Sequence, residues 1–556
     1  MHSSRVVSLL SGSIQKLDGW AAQLETRIEH HPRWYLFLFS FFFFGTTIPI
    51  AIVREMWLDE FITLYTVRFR DLSHLWATLK TGVDLNPPLY HLIVRTSEKL
   101  LGESALALRL PSLIGYWVMS LSLFFLVRRR TNALYGVAAA LLPFLTVTYE
   151  YSFEARPYAI VLGCCPLALL CWQAVIDGRR RKLALAGLAL TLAAANCNHY
   201  YAILLAFPLA IGELVRTIQR RKIDWAVWCT FAFGVVPVLV FLPLVKSGMV
   251  PHKSAYDHIW NKPEVSFLWE TYWAILGAAV FPVVAVLGWF AVRSCSEFQR
   301  AGDEKYSVPA PEIAAGLSLC ALPLLAYGLA VSYVGMITWR YVLPTAAGIA
   351  IIVAFGCYRA SRCRLSAALA LVVITLAWAT VHVGLAARRQ VEERERFAAR
   401  DSEGIVRSLG LPVVVQDGLL ALPMNYYVSP DVRVRMLFPV DLDDVRRYEA
   451  ADTPERIMAI GKGTFAMPME DFSQFRREHK EYLVYGIHAG WLISAVLHDG
   501  GSVRMVHLGK WQILFLVNEK ARDANPAEPV VALHSPARQR NSQPATVTRA
   551  RLENHP

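Results

Sequence analysis

Residues 34–60 read WYLFLFSFFFFGTTIPIAIVREMWLDE, twenty uncharged residues followed at once by Arg54, Trp57 and the adjacent acids Asp59 and Glu60. Twenty apolar residues in a helix cross roughly 30 Å of hydrocarbon. The same pattern recurs near 104–127, 133–149, 158–176, 183–199, 200–215, 225–245, 271–292, 312–332, 341–358 and 365–387. The expectation is a polytopic α-helical membrane protein with about 11 transmembrane helices. Composition agrees. Of 556 residues, 55% are hydrophobic and 18% charged, with 16 Trp and 22 Tyr. A soluble chain carries about a quarter charged residues, and Trp and Tyr gather at membrane interfaces. Disorder, coiled coils and a compact soluble enzyme are excluded.

Orientation follows from the basic turns. Arg128-Arg129-Arg130, Arg179 to Lys182, Arg216/Arg220/Arg221/Lys222, Arg293/Arg300/Lys305 and Arg359/Arg362/Arg364 occupy alternate connections. The positive-inside bias puts these in the cytoplasm with the N-terminal segment 1–33, and it explains the net charge of +12 without a nucleic-acid partner. The transmembrane part is then 34–387, and its first outer loop is 54–103. Residues 388–520, of soluble composition, form an extracytoplasmic α/β domain with strands at Val413–Val415, Tyr482–Tyr485 and Trp511–Val517 and helices at Pro454–Ala459 and Asp471–His479. Residues 521–556 have the composition of a disordered tail. The first span has no small-residue cleavage site and reads as an uncleaved anchor. The nine cysteines form no CxxC pair, and none follows Cys363.

Within 54–103, Phe61, Leu64, Tyr65 and Phe69 recur at helical spacing, as do Leu89, Leu92, Ile93 and Leu100, with Asn86-Pro87-Pro88 as a break. Two amphipathic helices along the membrane surface are expected. Gly461-Lys462-Gly463-Thr464 lacks phosphate-loop spacing and reads as a turn.

Four polar clusters fall on the outer face by this topology. Asp59-Glu60 follows the first span. Tyr149 to Tyr158 contains Glu150, Glu154 and Arg156. Asn196 and His199 form a corner, and Thr338-Trp339-Arg340-Tyr341 opens a later span. Each has a plain alternative: acids favouring a helix N-terminus, an interfacial Arg paired with Glu154, a structural His, a snorkelling Arg. Their convergence on one face supplies carboxylates, two guanidiniums, an imidazole and aromatics around a membrane-edge cavity. Such a cavity suits an anionic amphiphile.

At these residues the chain resembles the GT-C integral membrane glycosyltransferases, in the bacterial group related to protein O-mannosyltransferases, lipid A aminoarabinose transferases and rhizobial core galacturonosyltransferases. The matching phrases are Trp57-Leu58-Asp59-Glu60, Asp84-Leu85-Asn86-Pro87-Pro88-Leu89-Tyr90, Arg109-Leu110-Pro111-Ser112, Tyr151 to Tyr158, His199-Tyr200-Tyr201 and Arg340-Tyr341-Val342-Leu343-Pro344. The resemblance implies a polyprenyl-phosphate sugar donor, an envelope acceptor (glycolipid, polysaccharide or protein) and transfer outside the bacterial inner membrane. It also admits a divalent metal held by Glu154 or Glu150. Asn86 is a departure: many relatives carry His there, and Asn neither titrates nor offers an imidazole ligand.

On this reading Asp59 is the general base and Glu60 orients the acceptor or the loop. Arg156 and Arg340, with Tyr158, bind the donor phosphate. Asn86, Tyr90, Glu154, His199 and Tyr341 shape the acceptor side. One base and a good leaving group favour inversion by single displacement. A lipid or lipid-linked sugar flippase is the alternative. It predicts charged or broken helices near the bilayer midplane.

Overall fold

The computed structural model describes residues 2–253, 262–277 and 308–519, with a few positions between 280 and 288. Six helices are long and apolar enough to span: Pro32–Val53, Ala105–Arg128, Tyr158–Ile176, Tyr200–Arg220, Trp339–Ala360 and Leu365–Glu392. Three expected spans are instead bent pairs. Ala133–Leu145 meets Val147–Phe153 at 80°, Trp225–Val240 meets Leu242–His252 at 49°, and Ala310–Cys320 meets Leu322–Tyr333 at 53°. The described residues therefore hold six to nine candidate spans. The expected span 183–199 is a helix, Arg181–Asn198, but is not among them. It begins with two cations and ends in the polar run Asn196-Cys197-Asn198. The expected span 271–292 lies partly outside the described residues, and the tail 521–556 lies wholly outside them.

The core comes from interdigitated spans. A side chain at Gly115 would sit 2.6 Å from the Ala159 carbonyl oxygen. Glycine there lets Ala105–Arg128 and Tyr158–Ile176 pack backbone to backbone, as small residues do in membrane bundles. The N-terminal segment is not a loose head. It forms the helix His2–His30, whose acids dock on other helices. Glu25 accepts from the amides of Ala133 and Leu134, and Asp18 from that of Ser366.

The connection 54–103, expected as the first outer loop, carries three helices, Leu58–Val67, Leu72–Lys80 and Pro88–Leu101, where two surface helices were expected. Leu72–Lys80 was missed because its only strong signal is the Asp71 cap, whose carboxylate accepts from the His74 amide at 2.8 Å. Leu58–Val67 does not lie along lipid. Nearly all its residues are buried, and its apolar face meets the C-terminal region. Phe61 packs on Tyr426 (ring centroids 5.2 Å) and Tyr65 on Phe465 (5.7 Å).

That region is a small α/β unit. Strands β1 (Val413–Val415), β2 (Met436–Val440), β3 (Met469–Asp471), β4 (Glu481–Gly486), β5 (Ser502–Leu508) and β6 (Ile513–Asn518) form one sheet in the order β3-β2-β1-β4-β6-β5. The first four are parallel, and β6 and β5 add an antiparallel edge. Helices Thr453–Ile460 and Phe472–Glu478 stand where helices were expected, and Gly461 to Thr464 is a turn. Sequence reading missed β2, β3 and β5. β2 contains Pro439, β3 has three residues, and β5 is mostly exposed.

Candidate active site

The site is built where the first span ends. Trp57 is extended, and Leu58–Val67 starts directly after it, placing Asp59 and Glu60 in its first turn. Consecutive helical residues point about 100° apart, and the two acids separate accordingly.

Asp59 is partly open, with 19% of its side chain exposed, and accepts from Nη1 of Arg340 at 2.9 Å. The Arg340 guanidinium also lies over the Trp57 ring at 4.9 Å. Arg156 reaches the same place from the loop before Tyr158. Its Nη1 donates to the Asp59 carbonyl at 3.3 Å and to the Asp84 carboxylate at 3.3 Å. Arg156 and Arg340 keep 11% and 14% of their side chains exposed.

Glu60 faces inward and is wholly buried. Both its oxygens take hydrogen bonds from Arg109, at 2.8 Å each, and one also accepts from the Ala155 amide at 2.8 Å. Burial alone would raise this carboxyl, but Arg109, Arg54 and the Ala155 N–H hold it below its ordinary value. Arg109 donates as well to the carbonyls of Ala51 (2.6 Å) and Arg54 (2.7 Å). Glu60 and Arg109 thus strap the end of the first span to the loop and to Ala155. Glu60 does not reach the open side where Asp59 lies.

Asp84 plays a comparable part for Arg156. It is 3% exposed and sits between Arg156, Nε2 of His91 at 3.1 Å and the Asn86 amide at 2.5 Å. Burial pushes its carboxyl up, but Arg156, His91 and Asn86 together hold it far below the carboxylate range. Asn86 is therefore a buried support for Asp84 and not an open acceptor contact. Tyr90, expected on the acceptor side, is fully buried behind it, its ring 5.9 Å from His91.

The remaining candidates divide. Tyr158, His199, Arg340 and Tyr341 line one slot together with Tyr201. Tyr201 stacks on Tyr341 at 4.0 Å, and His199 lies 5.3 Å from Tyr158 and 5.5 Å from Tyr341. Free volume there is only ≈10 Å³, room for about one water. Glu154 instead pairs with Arg54 at 3.2 Å, and burial, outweighing Arg54, raises its carboxyl. Glu150 turns to Arg389 at 2.7 Å. Among the described residues no three His, Cys, Asp or Glu side chains converge as a metal-binding group. Glu154 and Glu150, each engaged with a different arginine, do not form such a set.

Sequence reading passed over Asp84, His91 and Arg109 as site residues, although it quoted the first and last within motifs. A buried polar residue gives no periodic signal of its own. The usable clue was the crowding of Asp84, Asn86 and His91 within eight positions of an apolar chain.

Residues 85–245 match the family model described as dolichyl-phosphate-mannose-protein mannosyltransferase. This segment carries Asn86, Arg109, Glu154, Arg156, Tyr158 and His199, whereas Asp59 and Arg340 lie outside it. No curated protein sequence matches the chain. Among solved structures, ArnT from Cupriavidus metallidurans bound to undecaprenyl phosphate is similar, with a TM-score of 0.54 and 11% identity over 88% of this chain and 99% of that one. The apo state of the same ArnT gives a TM-score of 0.54 at 12% identity, with the same coverage. The chain accordingly has the apolar spanning helices of a multi-pass membrane protein and the fold of ArnT, and over 85–245 its sequence is similar to the protein mannosyltransferases.

Proposed function

We propose that the chain moves a sugar from a polyprenyl-phosphate donor to an envelope acceptor on the outer face of a bacterial inner membrane, with the N-terminus cytoplasmic and residues 388–520 outside. The observation that carries this is the meeting of Asp59, Arg156 and Arg340. These residues come from three distant parts of the chain, and Arg156 and Arg340 each lie within hydrogen-bond reach of Asp59 at one end of the bundle. The undecaprenyl phosphate bound by the similarly folded ArnT supports the lipid-phosphate half of the reading.

The chemistry follows from those groups. An acceptor hydroxyl attacks the anomeric carbon and passes its proton to the Asp59 carboxylate. The bond from the anomeric carbon to the phosphate oxygen breaks, and the electron pair leaves with the lipid phosphate. That phosphate gains negative charge, and Arg156 and Arg340 are cations already placed there. A guanidinium presents five donors in a fork. Arg340 can therefore meet a phosphate with one edge while Asp59 keeps the other, which holds the base beside the reacting carbon. Asp84 fixes Arg156 in position. Tyr158, His199, Tyr201 and Tyr341 form an aromatic wall for the sugar or the first isoprene units. A single displacement inverts the anomeric centre.

The test uses the full chain purified into lipid and given a panel of polyprenyl-phosphate sugars with acceptor-bearing envelope extract. Transfer from one donor with inverted product is the expected result. Movement of labelled lipid across the bilayer without any glycoside product would replace this reading with a flippase.

A further inference from the structure

The two helices that bring Tyr158 and His199 to the candidate site run to a second cavity at their other ends. Tyr158–Ile176 has 19 residues and Tyr200–Arg220 has 21. At 1.5 Å per residue the two places are about 30 Å apart, a bilayer thickness. The second cavity encloses ≈530 Å³, and Arg181, Arg216, Arg220, Lys222, Asp224 and Trp225 are among its lining residues.

Its cations are of two kinds. Arg181 and Arg216 are anchored: Asp224 accepts from Arg181 at 2.6 Å and from Arg216 at 3.2 Å, and Glu213 accepts from Arg216 at 2.7 Å. Glu213 is itself buried and takes the Trp172 indole N–H at 2.9 Å. The two carboxylates offset those two guanidiniums. Arg220 and Lys222 are exposed, and among the described residues neither has an acidic partner. Among the described residues the cavity thus keeps two positive charges without a carboxylate partner. Helices Arg181–Asn198, Trp225–Val240 and Ala310–Cys320 also begin at its wall, none with a side chain capping its first amides. Free N–H groups at a helix start favour an anion.

Its lining is also apolar and open: Ile223 and Trp225 are 46% and 68% exposed. In a chain that spans a membrane, such residues at helix ends face acyl chains and the interface. A basic recess with a greasy lip accepts a phosphate head whose tails stay in lipid. We infer that this cavity binds the phosphate of an anionic glycerophospholipid, on the membrane face opposite Asp59. The inference rests on the membrane fold and is independent of the proposed transferase chemistry.

The test titrates the detergent-purified full chain with phosphatidylglycerol, with phosphatidylcholine of the same acyl chains and with inorganic phosphate, reading retained lipid by native mass spectrometry and Tm by thermal melts. Phosphatidylglycerol is expected to stay bound and raise Tm, and phosphatidylcholine is not. The double variant Arg220→Gln/Lys222→Gln should bind phosphatidylglycerol at least tenfold more weakly. Both side chains are exposed and, among the described residues, have no acidic partner, so its unliganded melt should match wild type. Ile223→Ser, which leaves the charges intact, should weaken lipid retention without touching any effect of inorganic phosphate. Unchanged phosphatidylglycerol binding in the double variant would overturn the inference. Stabilisation by inorganic phosphate equal to that by phosphatidylglycerol would overturn its assignment to lipid.

Discussion

Asp59 and Glu60 are neighbours in one helical turn, and each meets an arginine, yet the two pairs are built for different work. Glu60 and Arg109 have no exposed side-chain surface, and every charged atom of the pair's contact is hydrogen-bonded. Asp59 and Arg340 share one hydrogen bond at 2.9 Å and remain partly open. The buried pair fixes where the turn sits. The open pair leaves donor and acceptor positions unspent for a ligand. On the proposed function, charge alone does not mark the catalytic carboxylate. What marks it is a charge whose hydrogen-bonding capacity is unfilled at a surface that a substrate can reach.

The largest expected effect comes from breaking the buried pair. Arg109→Ala strands Glu60 as a buried charge and frees the carbonyls of Ala51, Arg54 and Glu55, a class of change that costs about 3–5 kcal/mol. Little folded protein should survive extraction, as gel filtration and a thermal melt would show. A well-folded Arg109→Ala enzyme would erase the distinction between the pairs. Arg340→Ala is expected to do the reverse. The fold and Tm should stay near wild type, while transfer falls about 10²–10³-fold, the usual loss for one pre-placed group facing developing charge. Rate and melt measured on the same preparation would check both halves.

A smaller effect separates the C-terminal unit from the site. Glu455 accepts from the Gly418 amide at 3.0 Å, and burial together with the nearby Asp417 charge pushes its carboxyl up to about 8, against its backbone hydrogen bonds. The unfolded chain gives up this proton near 4.5, so between those values the folded state holds a proton that the unfolded state has lost. Stability then falls as pH rises through that window. Glu455→Gln keeps an acceptor for Gly418 and removes the penalty. At pH 8 its C-terminal unit should melt above wild type by at least roughly 2–4 °C, the shift for each kcal/mol, and at pH 4.5 the two should nearly coincide. A difference independent of pH would mean that Glu455 is not the titrating group.

The sequence's legible parts are those with a strong local signal. Apolar run length found the single spans, and the Val-rich segment at 413–415 and the run ending at Val517 found strands of the α/β unit. The bends at 225–252 and 310–333 were not legible, because an apolar run looks the same whether its helix is straight or bent. The burial of Leu58–Val67 was not legible either. Phe61 and Tyr65 give the same stripe whether they face lipid or Tyr426 and Phe465, which lie some 360–400 positions away. The site shows the same limit. The motifs identified Asp59, Arg156 and Arg340 as candidates, but the split between Asp59 and Glu60 needed the position of Arg109. The support given to Arg156 by Asp84 and His91 needed the loop in three dimensions.

The central claim is that Asp59 takes the proton while the arginines hold the phosphate. It is tested most directly by comparing wild type and Asp59→Asn on one donor, with donor binding and sugar transfer both measured. The substitution keeps shape and an acceptor for Arg340 but removes the base. The account predicts transfer reduced by about 10²–10⁴-fold with donor affinity within a few-fold of wild type. Transfer at the wild-type rate by Asp59→Asn, with the donor bound equally well, would contradict it.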